Sequence, residues 1–115
     1  MSDRGLREPA FLVLTSLAAE PQHGYAIIED VLRISDDRVR LHTGSLYAIL
    51  DRLRETGLIE VDREEVVASR LRRYYRITAA GAERLAEETR ALRRHADAAA
   101  LRLRRLGGLA QGGAA

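Results

Sequence analysis

Cysteine is absent from the 115-residue chain, which excludes disulfides and thiol chemistry and suits a reducing compartment. Lysine and tryptophan are missing too, so all 19 basic side chains are arginine, and Phe11 is the one phenylalanine. No apolar run approaches the ~18 residues needed to span a bilayer. The polar stretch from Met1 to Pro9 holds both charge signs, unlike a secretory signal. A soluble, cytoplasmic protein with no membrane partner is expected.

Constellations that would carry chemistry are also missing. Ser16, Ser35, Ser45 and Ser69 have no base near them in sequence, and the acids fall mostly on faces expected to meet solvent. No glycine loop is placed to cradle a phosphate. His23, His42 and His95 fall on different elements, and none pairs with another at metal-ligand spacing. No enzyme activity, metal or cofactor is therefore expected.

What is present suits one domain with an appended helix. Hydrophobic residues make up 46% of the chain, enough for a compact core. The net charge is only +2, but it is unevenly spread. Residues 1–37 carry three arginines against seven acids, residues 38–76 nine against six, and residues 77–115 seven against four. Arg70, Arg72, Arg73 and Arg76 crowd into seven positions, a density that suits phosphate contacts and equally a solvated charged strand.

Apolar spacing predicts a first helix over residues 8–19, through Phe11, Leu14, Leu17 and Ala18, with Pro9 in its first turn. After Pro21 a second helix runs from about His23 to Ile34, on a stripe of Ala26, Ile27, Val31 and Ile34. Ser35, Asp36 and Asp37 break it. A third starts near Thr43, read as its cap, buries Leu46, Ile49, Leu50 and Leu53, and stops at Gly57. Leu58 to Asp62 and Leu71 to Ile77 read as strands, joined by a connector, Arg63 to Ser69, too long for a two-residue turn. Three helices and then a hairpin is the order of a winged helix-turn-helix, mainly α with a small two-stranded β wing. Tyr25 and Tyr75 read as core residues, and Arg73 as a partner in an internal ion pair.

The last helix is expected over residues 79–106, capped by Thr78, with a disordered tail at 107–115. Ala82, Thr89, Ala96 and Leu103 fall at heptad position a, and Leu85, Leu92, Ala99 and Leu106 at position d. The register spans roughly 37 Å, more than the body of a small domain can cover. A homodimer is therefore expected through Leu85, Thr89, Leu92, Ala96, Ala99, Leu103 and Leu106. The expected division is residues 1–78 as the winged helix-turn-helix body and 79–106 as the dimerisation helix.

Three segments carry a family likeness: Pro21-Gln22-His23-Gly24-Tyr25; Gly44-Ser45-Leu46-Tyr47 with Leu50, Leu53 and Gly57-Leu58-Ile59-Glu60; and Arg72 through Gly81. In this order the chain resembles the PadR family of bacterial regulators, in its short form with a single carboxy-terminal helix, over about residues 7–106. Ser45 and Ala48 stand where members commonly carry Thr and Pro. Both changes are mild, since Ser keeps the hydroxyl and Ala favours helix.

The resemblance implies a repressor that binds an inverted repeat in double-stranded DNA. His42, Thr43, Gly44, Ser45 and Tyr47 would face the major groove at the start of the recognition helix, although the Tyr47 ring also suits packing between helices. Arg52 lies further along, where backbone contact is expected. In the second strand Arg70, Arg72, Tyr74 and Arg76 share one face and would track phosphates. The family likeness further implies release by a small-molecule effector, for which Phe11, Leu92 and Ala96 form a candidate site. The competing reading is a winged-helix protein–protein interaction module without sequence-specific DNA binding.

Overall fold

Helices dominate, and each starts or stops where the sequence supplies the chemistry. The computed structural model describes residues 6–114, with side chains from 6 to 108. In chain order these are α1 (Glu8–Ala19), β1 (Gln22–His23), α2 (Gly24–Ile34), α3 (Thr43–Glu55), β2 (Ile59–Val67), β3 (Arg70–Ile77) and α4 (Ala79–Ala114). Pro9 sits in the first turn of α1, where its missing N–H costs nothing. Gly57 has φ +78° just past α3, as a left-handed helix stop requires. Thr78 begins α4: its hydroxyl oxygen accepts the Gly81 N–H at 3.0 Å while its O–H donates to the Gly57 carbonyl at 2.7 Å.

The chain divides into two compact units, Met1–Leu85 and Ala86–Ala115. The first has a core of Leu12, Val13, Leu14 and Leu17 from α1, Ile27 and Val31 from α2, and Leu46, Leu50 and Leu53 from α3. Leu58, Ile59 and Tyr75 close it from the sheet side. Ser16 is buried among these residues. Gln22 satisfies it, donating from Nε2 to both its hydroxyl and its carbonyl at 2.8 Å. The second unit is the remainder of α4.

Several expectations are corrected. Phe11 is only half-buried and Ala18 is exposed, because the buried face of α1 is centred on Leu12, Val13 and Leu17. Tyr25 is 71% exposed rather than in the core. Tyr75 is buried as expected. The sheet has three strands in the order β1-β3-β2, all antiparallel. Two residues, Gln22 and His23, pair with Tyr75 and Tyr74, a strand too short to leave a periodic signal.

The hairpin differs most. β2 runs to Val67, so the connector shrinks to Ala68 and Ser69. Both take positive φ, +50° and +66°, the combination of a type I′ turn. That turn normally carries Asn or Gly, and neither is present. At the far end, α4 continues past Gly107-Gly108 to Ala114 rather than ending at Leu106. Glycine weakens a helix interior by about 1 kcal/mol, and no proline is there to break it. Of the tail expected at 107–115, Ala115 lies outside the described residues.

Candidate nucleic-acid interface

The carboxy-terminal helix of the α2–α3 pair presents its beginning to solvent. His42, extended at φ −89° and ψ 160°, takes the capping position, and no side chain caps the first turn. Thr43, read above as the cap, is instead the first helical residue. The cap shifts one residue because His42 already holds the extended conformation a cap needs. Without a side-chain partner, the opening amides of α3 are available to an anion. His42, Thr43, Gly44 and Ser45 are all exposed around them.

Helical spacing aligns Gly44, Ala48, Asp51 and Glu55 on the side of α3 opposite its buried leucines, and all four are exposed. Gly44 and Ala48 leave the leading half of this face bare. Asp51 and Glu55 put carboxylates on the trailing half, with the exposed Arg52 and Arg54 on its flanks. Tyr47, 42% exposed, belongs to both readings made of it: its surface is open, yet a Cβ on Gly24 would meet its hydroxyl at 2.9 Å. Arg52 is exposed on a flank of α3, lining an open groove with Arg7, Pro9, Ala10 and Arg84.

The wing brings arginines and carboxylates together in register. Glu60 faces Arg76, Glu64 faces Arg73 and Glu65 faces Arg72 across β2 and β3. Arg76 donates from Nε to Glu60 at 2.7 Å and from Nη1 to Asp62 at 3.2 Å. A bulge between Val61 and Arg63 leaves Asp62 without a cross-strand partner, and Asp62 also accepts from Arg63 at 3.0 Å. The Tyr74 hydroxyl donates to Glu65 at 2.9 Å, while the Arg63 guanidinium lies 3.8 Å over its ring. His23 meets that ring edge-on at 5.3 Å. Arg73 is paired as expected, with Glu64 at 2.9 Å, but on the surface rather than inside. Arg70 and Arg72 form no ion pair among the described residues.

The electrostatic consequences follow the contacts. The Tyr74 hydroxyl, then Arg63, hold the Glu65 carboxyl below its ordinary value. Glu60 and then Asp62 hydrogen-bond Arg76 and raise its pKa further. The wing acids Glu60, Asp62, Glu64 and Glu65 were missed as site residues in the sequence. Their signal was available only through the strand register, which the Ala68-Ser69 turn conceals.

Along α4, Leu85 is half-buried against the core of the first unit, and Thr89 is half-buried. In the second unit Ala96 and Ala99 are exposed, with Leu92 at 49%, Leu103 at 66% and Leu106 at 65%. Of the residues named for an effector, Phe11 packs on the first unit's core, whereas Leu92 and Ala96 are exposed on the second. Among the described residues no cluster of His, Asp or Glu could hold a metal ion, and no helix is long and apolar enough to cross a membrane.

The sequence matches the transcriptional regulator PadR-like family over residues 13–87. That stretch holds the whole helix pair, the wing and the start of α4. The chain belongs to the PadR-like family. Transcriptional regulator Rv3488 of Mycobacterium tuberculosis is 38% identical over 80 residues, covering 70% of this chain and 71% of that protein. The crystal structure of a PadR family transcriptional regulator from Eggerthella lenta superposes with a TM-score of 0.65 at 26% identity, over 84% of each chain. A PadR family transcription regulator from hypervirulent Clostridium difficile gives a TM-score of 0.70 at 20% identity, over 84% of this chain and 99% of that one. At that identity the likeness is one of fold. This PadR-like chain is thus a transcriptional regulator with a winged-helix fold and a long carboxy-terminal helix.

Proposed function

We propose that this regulator binds double-stranded DNA as a homodimer at an inverted repeat, and represses transcription until a small molecule releases it. The observation that carries the proposal is the bare opening turn of α3. It offers uncapped amides and the short polar groups of His42, Thr43 and Ser45, around a glycine, to a major groove. Tyr47 extends that contact. Arg70, Arg72, Tyr74 and Arg76 on the wing, with Arg52 on the flank of α3, meet the phosphate backbone and fix the register.

Dimerisation rests on the apolar stripe of α4, where Leu92, Leu103 and Leu106 are large hydrophobic side chains open to solvent. Leucines repeating at heptad spacing seek a partner helix. Leu85, Thr89, Ala96 and Ala99 complete the seam. Two protomers joined there offer two reading helices to half-sites roughly 34 Å apart. An effector releases the DNA only by favouring one arrangement of the reading helices over another.

The test uses the purified full chain and genomic DNA fragments. Retained fragments should contain an inverted repeat, and affinity for it should fall steeply with salt. Ser45→Ala and Tyr47→Ala should erase preference for the retained fragment over random duplex. Arg72→Ala should weaken both alike and flatten the salt dependence. Equal losses on both duplexes in all three variants would refute the division between reading and gripping.

A further inference from the structure

The wing is nearly neutral although it carries the densest arginine cluster of the chain. Between Ile59 and Ile77 stand five arginines, Arg63, Arg70, Arg72, Arg73 and Arg76, and four acids, Glu60, Asp62, Glu64 and Glu65. We infer that Glu60 and Asp62 limit affinity at the DNA interface: they hold the Arg76 guanidinium as internal stand-ins for phosphate and must release it before the wing grips a backbone. The inference deepens the DNA-binding reading and rests on it.

A guanidinium binds carboxylate and phosphate through the same fork of N–H donors. In Arg76 both Nε and Nη2 lie 2.7 Å from Glu60 Oε2, and Nη1 lies 3.2 Å from Asp62 Oδ1. Each of its three nitrogens is therefore engaged by a carboxylate. The strand register places Glu60 directly opposite Arg76, so the hairpin itself brings the two side chains within reach of each other. A phosphate approaching Arg76 must compete with two carboxylates already bound to it. Exposed pairs of this kind are weak, so the exchange is reversible and works as a graded brake rather than a block. Arg70 and Arg72 form no ion pair among the described residues. The wing thus combines two arginines outside any ion pair, Arg70 and Arg72, with three held by carboxylates, Arg63, Arg73 and, at its base, Arg76.

Fluorescence anisotropy with a labelled random-sequence duplex tests this directly, because backbone contacts do not need an operator. The double variant E60Q/D62N should bind about tenfold tighter than the unaltered chain, and its log–log salt slope should steepen by about one. Arg76→Gln should cost about twofold in the unaltered chain and about tenfold in the E60Q/D62N background, the mark of an interaction that the acids suppress. Three results overturn the inference. The double variant could bind no tighter. It could bind more weakly, as it would if the carboxylates position Arg76 for DNA. Or its gain could persist undiminished with Arg76→Gln, which would reduce the effect to bulk charge. Glu60→Gln and Asp62→Asn singly should each recover part of the gain, which guards against a folding defect in the double variant. If the unaltered chain binds but the variant gains nothing, only the inference fails. If neither binds any duplex at low salt, the DNA-binding reading fails with it.

Discussion

Gly81 lies at the first turn of α4, where a Cβ would overlap the carbonyl oxygen of Leu58 and sit 2.8 Å from Ile77 Cγ1. Backbone cannot yield as a flexible side chain can, so Gly81→Ala should destabilise the fold by roughly 2 kcal/mol, read as a lowered thermal midpoint. His23 offers a second measurement at the same scale. Partial burial first, and then the charge of Arg72, lower its pKa below the ordinary histidine value of 6.5, partly offset by Glu29 and Glu65. The folded state therefore takes up its proton later than the unfolded state as pH falls. The stability contribution is intact above 6.5 and declines as pH drops through the folded value. An NMR titration of the His23 ring should show a midpoint under 6.5, and one at or above it would contradict the contacts described. Single residues were read unevenly from the sequence. Thr78, Gly57 and Tyr75 stand as expected because their roles are local or follow strict alternation. Tyr25 was misplaced because an aromatic side chain at a helix start carries no mark of which way it faces.

At the scale of elements, the wing turn makes the sharpest prediction. Ala68 and Ser69 both occupy the left-handed region, which L-residues other than Asn, Asp and Gly avoid. Replacing the pair by Asn-Gly should stabilise the chain by roughly 1 kcal/mol. Hydrogen exchange should slow at the amides of β2 and β3 while those of α1 to α3 change little. An unchanged or faster rate would mean the turn carries no strain. The same residues explain why the hairpin was only half legible. The strands themselves alternate clearly near the core, at Ile59, Val61, Tyr75 and Ile77, and fade toward a tip whose side chains are nearly all exposed. Helices α2 and α3 were legible almost to the residue because one apolar face and a clear stop define each. The end of α4 was not, since paired glycines resemble a stop without enforcing one.

For the whole molecule, the exposed leucines of α4 set the expected oligomer. Replacing Leu92 and Leu103 by Glu should turn dimers into monomers in sedimentation velocity and leave the first unit's helical signal intact. A double variant that still sediments as a dimer would place the seam elsewhere. The core of residues 12–75 follows from hydrophobic periodicity, whereas the surface proposed to meet DNA depends on side chains whose roles periodicity does not distinguish. The arginine cluster pointed to the wing, and only strand pairing disclosed that acids answer it. Asp51 and Glu55 have a further consequence of this kind. A helix whose open face turns from bare to carboxylate-bearing along its length would meet a groove opening turn first, so each protomer would interrogate few base pairs. So short a word recurs throughout any genome, and an address would have to be spelled twice, at a fixed interval, for the regulator to find it.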